Sequence, residues 1–177
     1  LSSGEQLLAH SDFIVEIPSN INYTPGFTIE PNRINDYREA NEYDGNCVRA
    51  RTFIHYSDNP LSKPLIVVEG YDPVDLIACF GSAKPKERAH GYSNFWKTCE
   101  SFDDAVIANY DVIHIDFLDC NADIRANAKL LESIISDINQ QKPAEADKNV
   151  IMGESMGGLI ARYALCDMER NHITHDC

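Results

Sequence analysis

The stretch Gly153-Glu154-Ser155-Met156-Gly157-Gly158 combines residue types and spacing that could do covalent chemistry. A dry run, Asn149-Val150-Ile151-Met152-Gly153, leads into it, and Leu159, Ile160, Tyr163, Ala164 and Cys166 continue from it at helical spacing. Serine at a strand-to-helix turn of the form G-x-S-x-G is held in a strained conformation, with its hydroxyl raised above the sheet edge. Side chains two positions away on either side would collide there, which explains Gly153 and Gly157. Gly158 is expected to let the following helix pack close to neighbouring strands. Ser155 also sits at a helix N-terminus, where free N–H groups favour developing negative charge. The chemistry this pattern serves is nucleophilic attack by the Ser155 hydroxyl, through a covalent intermediate.

Other residues that could do chemistry have simpler readings. His172-Ile173-Thr174-His175-Asp176-Cys177 gathers possible metal ligands, but its spacing fits a polar helix exit better than a zinc site, and no metal is expected. His114 and Asp116 alternate on a dry strand, so His114 reads as a core or sheet-edge histidine rather than a base. Asp116, Asp119 and Asp123 follow each other near a strand's end and could line a pocket, with at least one of them expected to cap the next helix. Lys84, Lys86 and Arg88 form a small basic run that reads as a solvated loop ahead of a flap over the site. There is no G-x-G-x-x-G and no Walker lysine motif, so a nucleotide has no anchor and no cofactor is expected.

The elements that must position Ser155 follow from periodicity. Pro64–Gly70, Asp111–Phe117 and Asn149–Gly153 are near-continuous aliphatic runs, as in parallel strands covered on both faces. Between the last two, Ile124, Ala128, Leu131, Ile135 and Ile138 form one stripe of a helix of about four turns, opened by an Asn121 cap and ended by Gln140–Lys142 and Pro143. Asn94–Tyr110 is helical in pattern but less regular. Strand–helix–strand–helix–strand with dry strands predicts an α/β fold: a mostly parallel sheet with helices on both faces. Upstream, Phe13–Ile17 reads as a short strand and residues 19–46 as a long turn-laden stretch. Cys47–Tyr56 reads as a strand with Val48, Ala50, Thr52 and Ile54 on its drier side. Residues 1–60 are thus a leading β-rich segment, early strands or the end of an accessory region, and residues 61–177 carry the core.

Ile66-Val67-Val68-Glu69-Gly70-Tyr71-Asp72-Pro73, Tyr110–Phe117 and Gly153–Tyr163 together resemble the α/β-hydrolase superfamily, and within it bacterial lipase/esterase-like and inositol-deacylase-like hydrolases. The resemblance covers roughly residues 61–170 and implies the front half of that fold. It implies that Leu65–Glu69 lies between Val112–Phe117 and Val150–Gly153, so that the last of these is an edge. It implies a nucleophile at Ser155 and an oxyanion hole made by the backbone N–H groups of Tyr71 and Met156. The loop that supplies the first donor usually follows a His-Gly pair, replaced here by Glu69-Gly70. The family's acid and histidine follow the nucleophile on later strands. Only 22 residues follow Ser155, so both are expected beyond Cys177. The activity implied is hydrolysis of a carboxylic ester, of a small molecule or a lipid, through an acyl-enzyme. A peptidase or thioesterase on the same scaffold, or a binding domain that keeps the elbow without its partners, are the alternatives.

Composition narrows the partners. The 177 residues are 44% apolar and 24% charged, an ordinary globular composition. Acids outnumber bases 28 to 15, a formal charge of −13 that repels phosphate backbones, so no nucleic acid is expected. The apolar runs are far short of the ~18 residues that span a bilayer, so no transmembrane segment is expected. The chain opens at Leu1 without a basic-then-apolar leader, and its six cysteines form no C-x-x-C pair; both leave the compartment open, with an extracellular or periplasmic one weakly favoured. An unpaired apolar edge strand is an association hazard, and self-association through it is expected.

Overall fold

A computed structural model describes residues 32–42, 45–57, 60–71, 109–119 and 122–177. Its strands are β1 (Arg33–Ala40), β2 (Cys47–His55), β3 (Pro64–Val68), β4 (Asp111–Phe117) and β5 (Val150–Gly153). Its helices are α1 (Ile124–Gln141) and α2 (Met156–Arg170). The strands form one sheet in the order β1-β2-β4-β3-β5. The β4-β3-β5 portion, which carries Ser155, is parallel, while β1-β2 and β2-β4 pair antiparallel. The fold is α/β with a mixed sheet. β3 lies between β4 and β5, the order the resemblance implies.

Register explains the core. Ile54, Ile113, Ile66 and Ile151 lie side by side across β2, β4, β3 and β5. Pairing at adjacent positions puts them on one face, because strand side chains alternate with a period of two. That face packs against α1 and α2, whose Leu131, Ile135, Ile160 and Ala164 are fully buried. Burying each such aliphatic side chain contributes about 1.5–3 kcal/mol. Both described helices lie on this face; Asn94–Ala108 and the Phe13–Ile17 strand fall outside the described residues. On the opposite face Val112, His114 and Asp116 are also buried, so β4 is dry on both sides.

Four expectations change. Arg33–Ala40, read as part of a turn-laden stretch, is a strand paired with β2 along its full length. Its sequence, Arg-Ile-Asn-Asp-Tyr-Arg-Glu-Ala, is largely exposed and polar, so it lacks the apolar alternation that marks a strand. Pairing with β2 stabilises it where side-chain burial does not. α1 runs 18 residues, a full turn beyond the stripe's four. Its cap is not Asn121 but Asp123, one of the three aspartates of which at least one was expected to cap it; the carboxylate accepts the Arg125 N–H at 2.8 Å. β5, expected dry, exposes Val150 and Met152, which alternate with Ile151 and so point to the face opposite the one that α1 and α2 cover.

The end of the sheet away from Ser155 is fastened by buried polar groups. The Asp111 carboxylate, fully buried, accepts from Ser57 N–H, Ser57 Oγ–H and Lys63 N–H at 2.8–3.0 Å. Asn149 donates its backbone N–H to Asp176 C=O at 2.7 Å and its side-chain amide to Asn139 and to His175 C=O. Asp176 also pairs with Lys142. The segment after α2 is thereby held against the start of β5.

Candidate active site at the β5–α2 turn

Ser155 is the residue at which β5 turns into α2. Its φ of 48° and ψ of −116° lie in a region that non-glycine residues seldom occupy, and holding it there costs of order 1–3 kcal/mol. The compensation comes from packing with no room to spare. A Cβ on Gly157 would lie 2.3 Å from the Val68 carbonyl oxygen and 2.4 Å from that of Glu69. One on Gly153 would lie 2.5 Å from the backbone of Gly158. Both glycines therefore stand where side chains would collide, as their spacing predicts. At Gly158 a Cβ would make only ordinary contact, at 3.5 Å, so the close approach of α2 to β5 is set by the missing side chain of Gly153 rather than of Gly158.

The two segments expected to form an oxyanion hole meet at this turn. A Cβ on Gly70 would lie 2.8 Å from the Glu154 carbonyl oxygen and 3.2 Å from Ser155 Cβ, so the chain after β3 runs against the serine. Tyr71, the next residue, is 46% exposed. In the first turn of α2, Gly157 N–H bonds back to Glu154 C=O at 2.7 Å and Gly158 N–H to Ser155 C=O at 3.1 Å. The Met156 amide takes no described backbone acceptor. Ser155 is itself exposed, and its side chain makes no cap hydrogen bond to the helix it begins. The need for glycine at position 70 was missed in the sequence. Its signal was a glycine directly after a buried strand, the place where backbones approach closely.

The remaining candidates lie elsewhere. His114 pairs in register with Val67, and Val67 with Met152, three residues short of Ser155, or about 10 Å along the strand. Burial in the sheet pushes its imidazole down to about 3, so it is neutral across the ordinary pH range. His55 is at the other end of the sheet, opposite Val112. His172 and His175 lie past the far end of α2, roughly 22 Å from its start. Asp119 binds Arg49 and Asp123 binds Arg125, so neither is free to serve a histidine. Asp123 is held down at about 2, first by the hydrogen bond from the Arg125 guanidinium and then by that from its backbone N–H. Among the described residues no cluster of His, Cys, Asp and Glu could hold a metal ion, and no helix is long and apolar enough to cross a membrane. Lys84, Lys86 and Arg88 fall outside the described residues.

The chain is similar to several solved structures. An esterase of Pyrobaculum calidifontis is 13% identical with a TM-score of 0.44, the match covering 82% of this chain and 42% of that one. A probable hydrolytic enzyme of Pseudomonas aeruginosa is 15% identical with a TM-score of 0.44, over 78% and 38%. Brefeldin A esterase, described as a bacterial homologue of human hormone-sensitive lipase, is 16% identical with a TM-score of 0.45, over 91% and 40%. This chain thus spans about two fifths of the length of each. No protein-family model and no curated protein matches the sequence.

Proposed function

We propose that Ser155 is the nucleophile of a serine esterase acting on carboxylic esters. The observation that carries this reading is a serine held at φ 48° at the head of a helix, exposed, with its hydroxyl not spent on capping that helix. Ser155 Oγ attacks the ester carbonyl carbon, and its proton passes to a base supplied from outside the described residues, the part the resemblance gives to a histidine. The carbonyl oxygen becomes an oxyanion held by the N–H groups of Tyr71 and Met156. Collapse breaks the bond to the alcohol, which leaves with a proton, and an acyl group remains on Ser155. Water then repeats the attack and releases the acid. Main-chain donors make the hole, so Glu69 in place of the usual histidine is compatible with it.

A fluorophosphonate probe tests the assignment directly. Labelling of the complete protein, with the segment that supplies the base, followed by peptide mapping is expected to place the adduct on Ser155 and on no other serine. Equal labelling of a Ser155→Ala variant overturns the reading.

A further inference from the structure

Two carboxyl groups meet one ammonium group between the helices. Lys129 and Glu132 lie about one turn apart on α1, and Asp167 lies near the end of α2. Lys129 Nζ donates to Glu132 Oε2 at 3.1 Å and to Asp167 Oδ2. Asp167 Oδ2 also accepts from the Asn171 side-chain amide at 3.0 Å, so the contact joins α1, α2 and the residue that ends α2. Glu132 is only 6% exposed, and its other oxygen, Oε1, is buried without a hydrogen-bond partner. A buried carboxylate oxygen that receives no donor is costly, whereas a protonated carboxyl group can itself donate. The Asp167 carboxylate is an acceptor within its reach.

The charges around Glu132 come from three elements. α1 supplies Lys129, and α2 supplies Asp167 with Arg170 acting on it. Glu39 of β1 and Glu42 just after it line, with Lys129 and Glu132, a cavity of about 560 Å³, and no described histidine lines it. Glu39 is engaged there by the Ser133 hydroxyl at 2.6 Å. We infer that Glu132 and Asp167 hold one proton between them on Lys129, which makes the α1–α2 contact a pH-sensitive clasp, tightest in mildly acidic solution. In the closed form Glu132 Oε1–H donates to the Asp167 carboxylate. Once that proton passes to water, two carboxylates face each other across a single ammonium group. Burial pushes the Glu132 carboxyl above its ordinary 4.5, while the Lys129 bond holds Asp167 below 3.8. The Glu132 contribution is therefore complete below 4.5 and is lost as pH rises through its higher folded value. The Asp167 contribution is complete above 3.8 and is lost as pH falls through its lower one. α2 begins at Ser155, so the clasp holds the helix behind the serine, and it does not depend on the esterase reading.

Side-chain carboxyl carbon shifts, followed by NMR across the acid range, test it. Glu132 is expected to titrate above 4.5 and Asp167 below 3.8. Asp167→Asn removes the charge and keeps the shape, so it should move the Glu132 midpoint down. A carboxyl group raised by burial alone would not move. Melting temperatures supply a second reading. Glu132→Gln does not titrate but can still donate its amide to Asp167, so only the change of its gap from the parent with pH is read. That gap should shift in the variant's favour as pH rises from 4.5 towards neutrality. A Glu132 midpoint at or below 4.5, a midpoint that Asp167→Asn leaves in place, or a gap that stays flat overturns the shared proton. The titration of the parent needs no variant and decides by itself if either substitution prevents folding.

Discussion

The N-termini of α1 and α2 meet the same need in opposite ways. Asp123 caps α1 from an ordinary extended backbone, φ −57° and ψ 134°, and its carboxylate takes the Arg125 N–H. Ser155 begins α2 with a side chain well suited to capping, yet from φ 48° its hydroxyl makes no cap bond. At α1 the polar side chain completes the helix. At α2 it is withheld from the helix, and the backbone there is strained in addition. The contrast separates a residue whose chemistry is consumed by structure from one whose chemistry stays available. The strain at Ser155 is tolerated because β3, β5 and α2 meet on glycine backbones and leave the turn no alternative.

That dependence gives the largest expected effect. In Gly157→Ala the new Cβ would meet two backbone carbonyl oxygens at 2.3 and 2.4 Å, and neither can move without shifting β3. Overpacking of this kind costs on the order of 1–3 kcal/mol. The melting temperature should fall by roughly 10 °C at the upper end of that range, given the usual scaling for a chain of this size. Phosphonate labelling of Ser155 should fall with it, because relief of the clash lifts α2 away from the Gly70–Tyr71 segment. Calorimetry together with labelling checks both. An unchanged melting temperature would mean that the glycine packing does not hold the turn.

The sequence was most legible where one local rule sufficed. The β5–α2 turn was readable because each residue type in it answers a separate steric demand, and the geometry at Gly153 and Gly157 meets those demands directly. The dry runs Leu65–Val68 and Val112–Phe117 were readable because burial on both faces leaves no polar alternation. β1 was not, since its main chain pairs with β2 while the side it turns inward carries Asn35, Tyr37 and Glu39, of which only Tyr37 packs on the core, so no apolar alternation records it. Asn121 and Asp123 are both good caps two residues apart. The helix starts at Ile124, which makes Asp123 the cap, and its carboxylate also takes the Arg125 guanidinium, a contact seen only once the chain is folded. Gly158 was misread because the close approach of helix to strand is met by the absent side chain of Gly153 and leaves ordinary room at 158.

At the other helix, Asp123→Ala should lower the melting temperature by about 2–4 °C through loss of the cap. The contribution also carries a pH signature. The Arg125 interactions depress the folded-state value of Asp123 from 3.8 to about 2, so they favour the charged form. The stabilisation is therefore complete above the unfolded value of 3.8 and is lost as pH falls through about 2. Melting temperatures of parent and variant should differ by a constant amount above pH 5 and converge between pH 3.8 and 2. A gap that persists at pH 2 would mean that Asp123 stabilises α1 by some means other than its charge.

The smallest expected effect is the sharpest test of the contrast. Ser155→Ala removes the hydroxyl from a helix N-terminus, where serine-to-alanine changes ordinarily cost about 1 kcal/mol. Here no cap bond exists to be lost, and alanine inherits the same φ and the same strain. The melting temperature should therefore change by less than about 1 °C, while labelling by the phosphonate is abolished. Stability and reactivity would then be separated at one atom, whereas at Asp123 the same replacement moves stability alone. A fall in melting temperature as large as that of Asp123→Ala would show that the Ser155 hydroxyl caps α2 in solution. It would then be spent on structure in the way the Asp123 carboxylate is, and its availability for attack would be lost as an argument for the esterase reading.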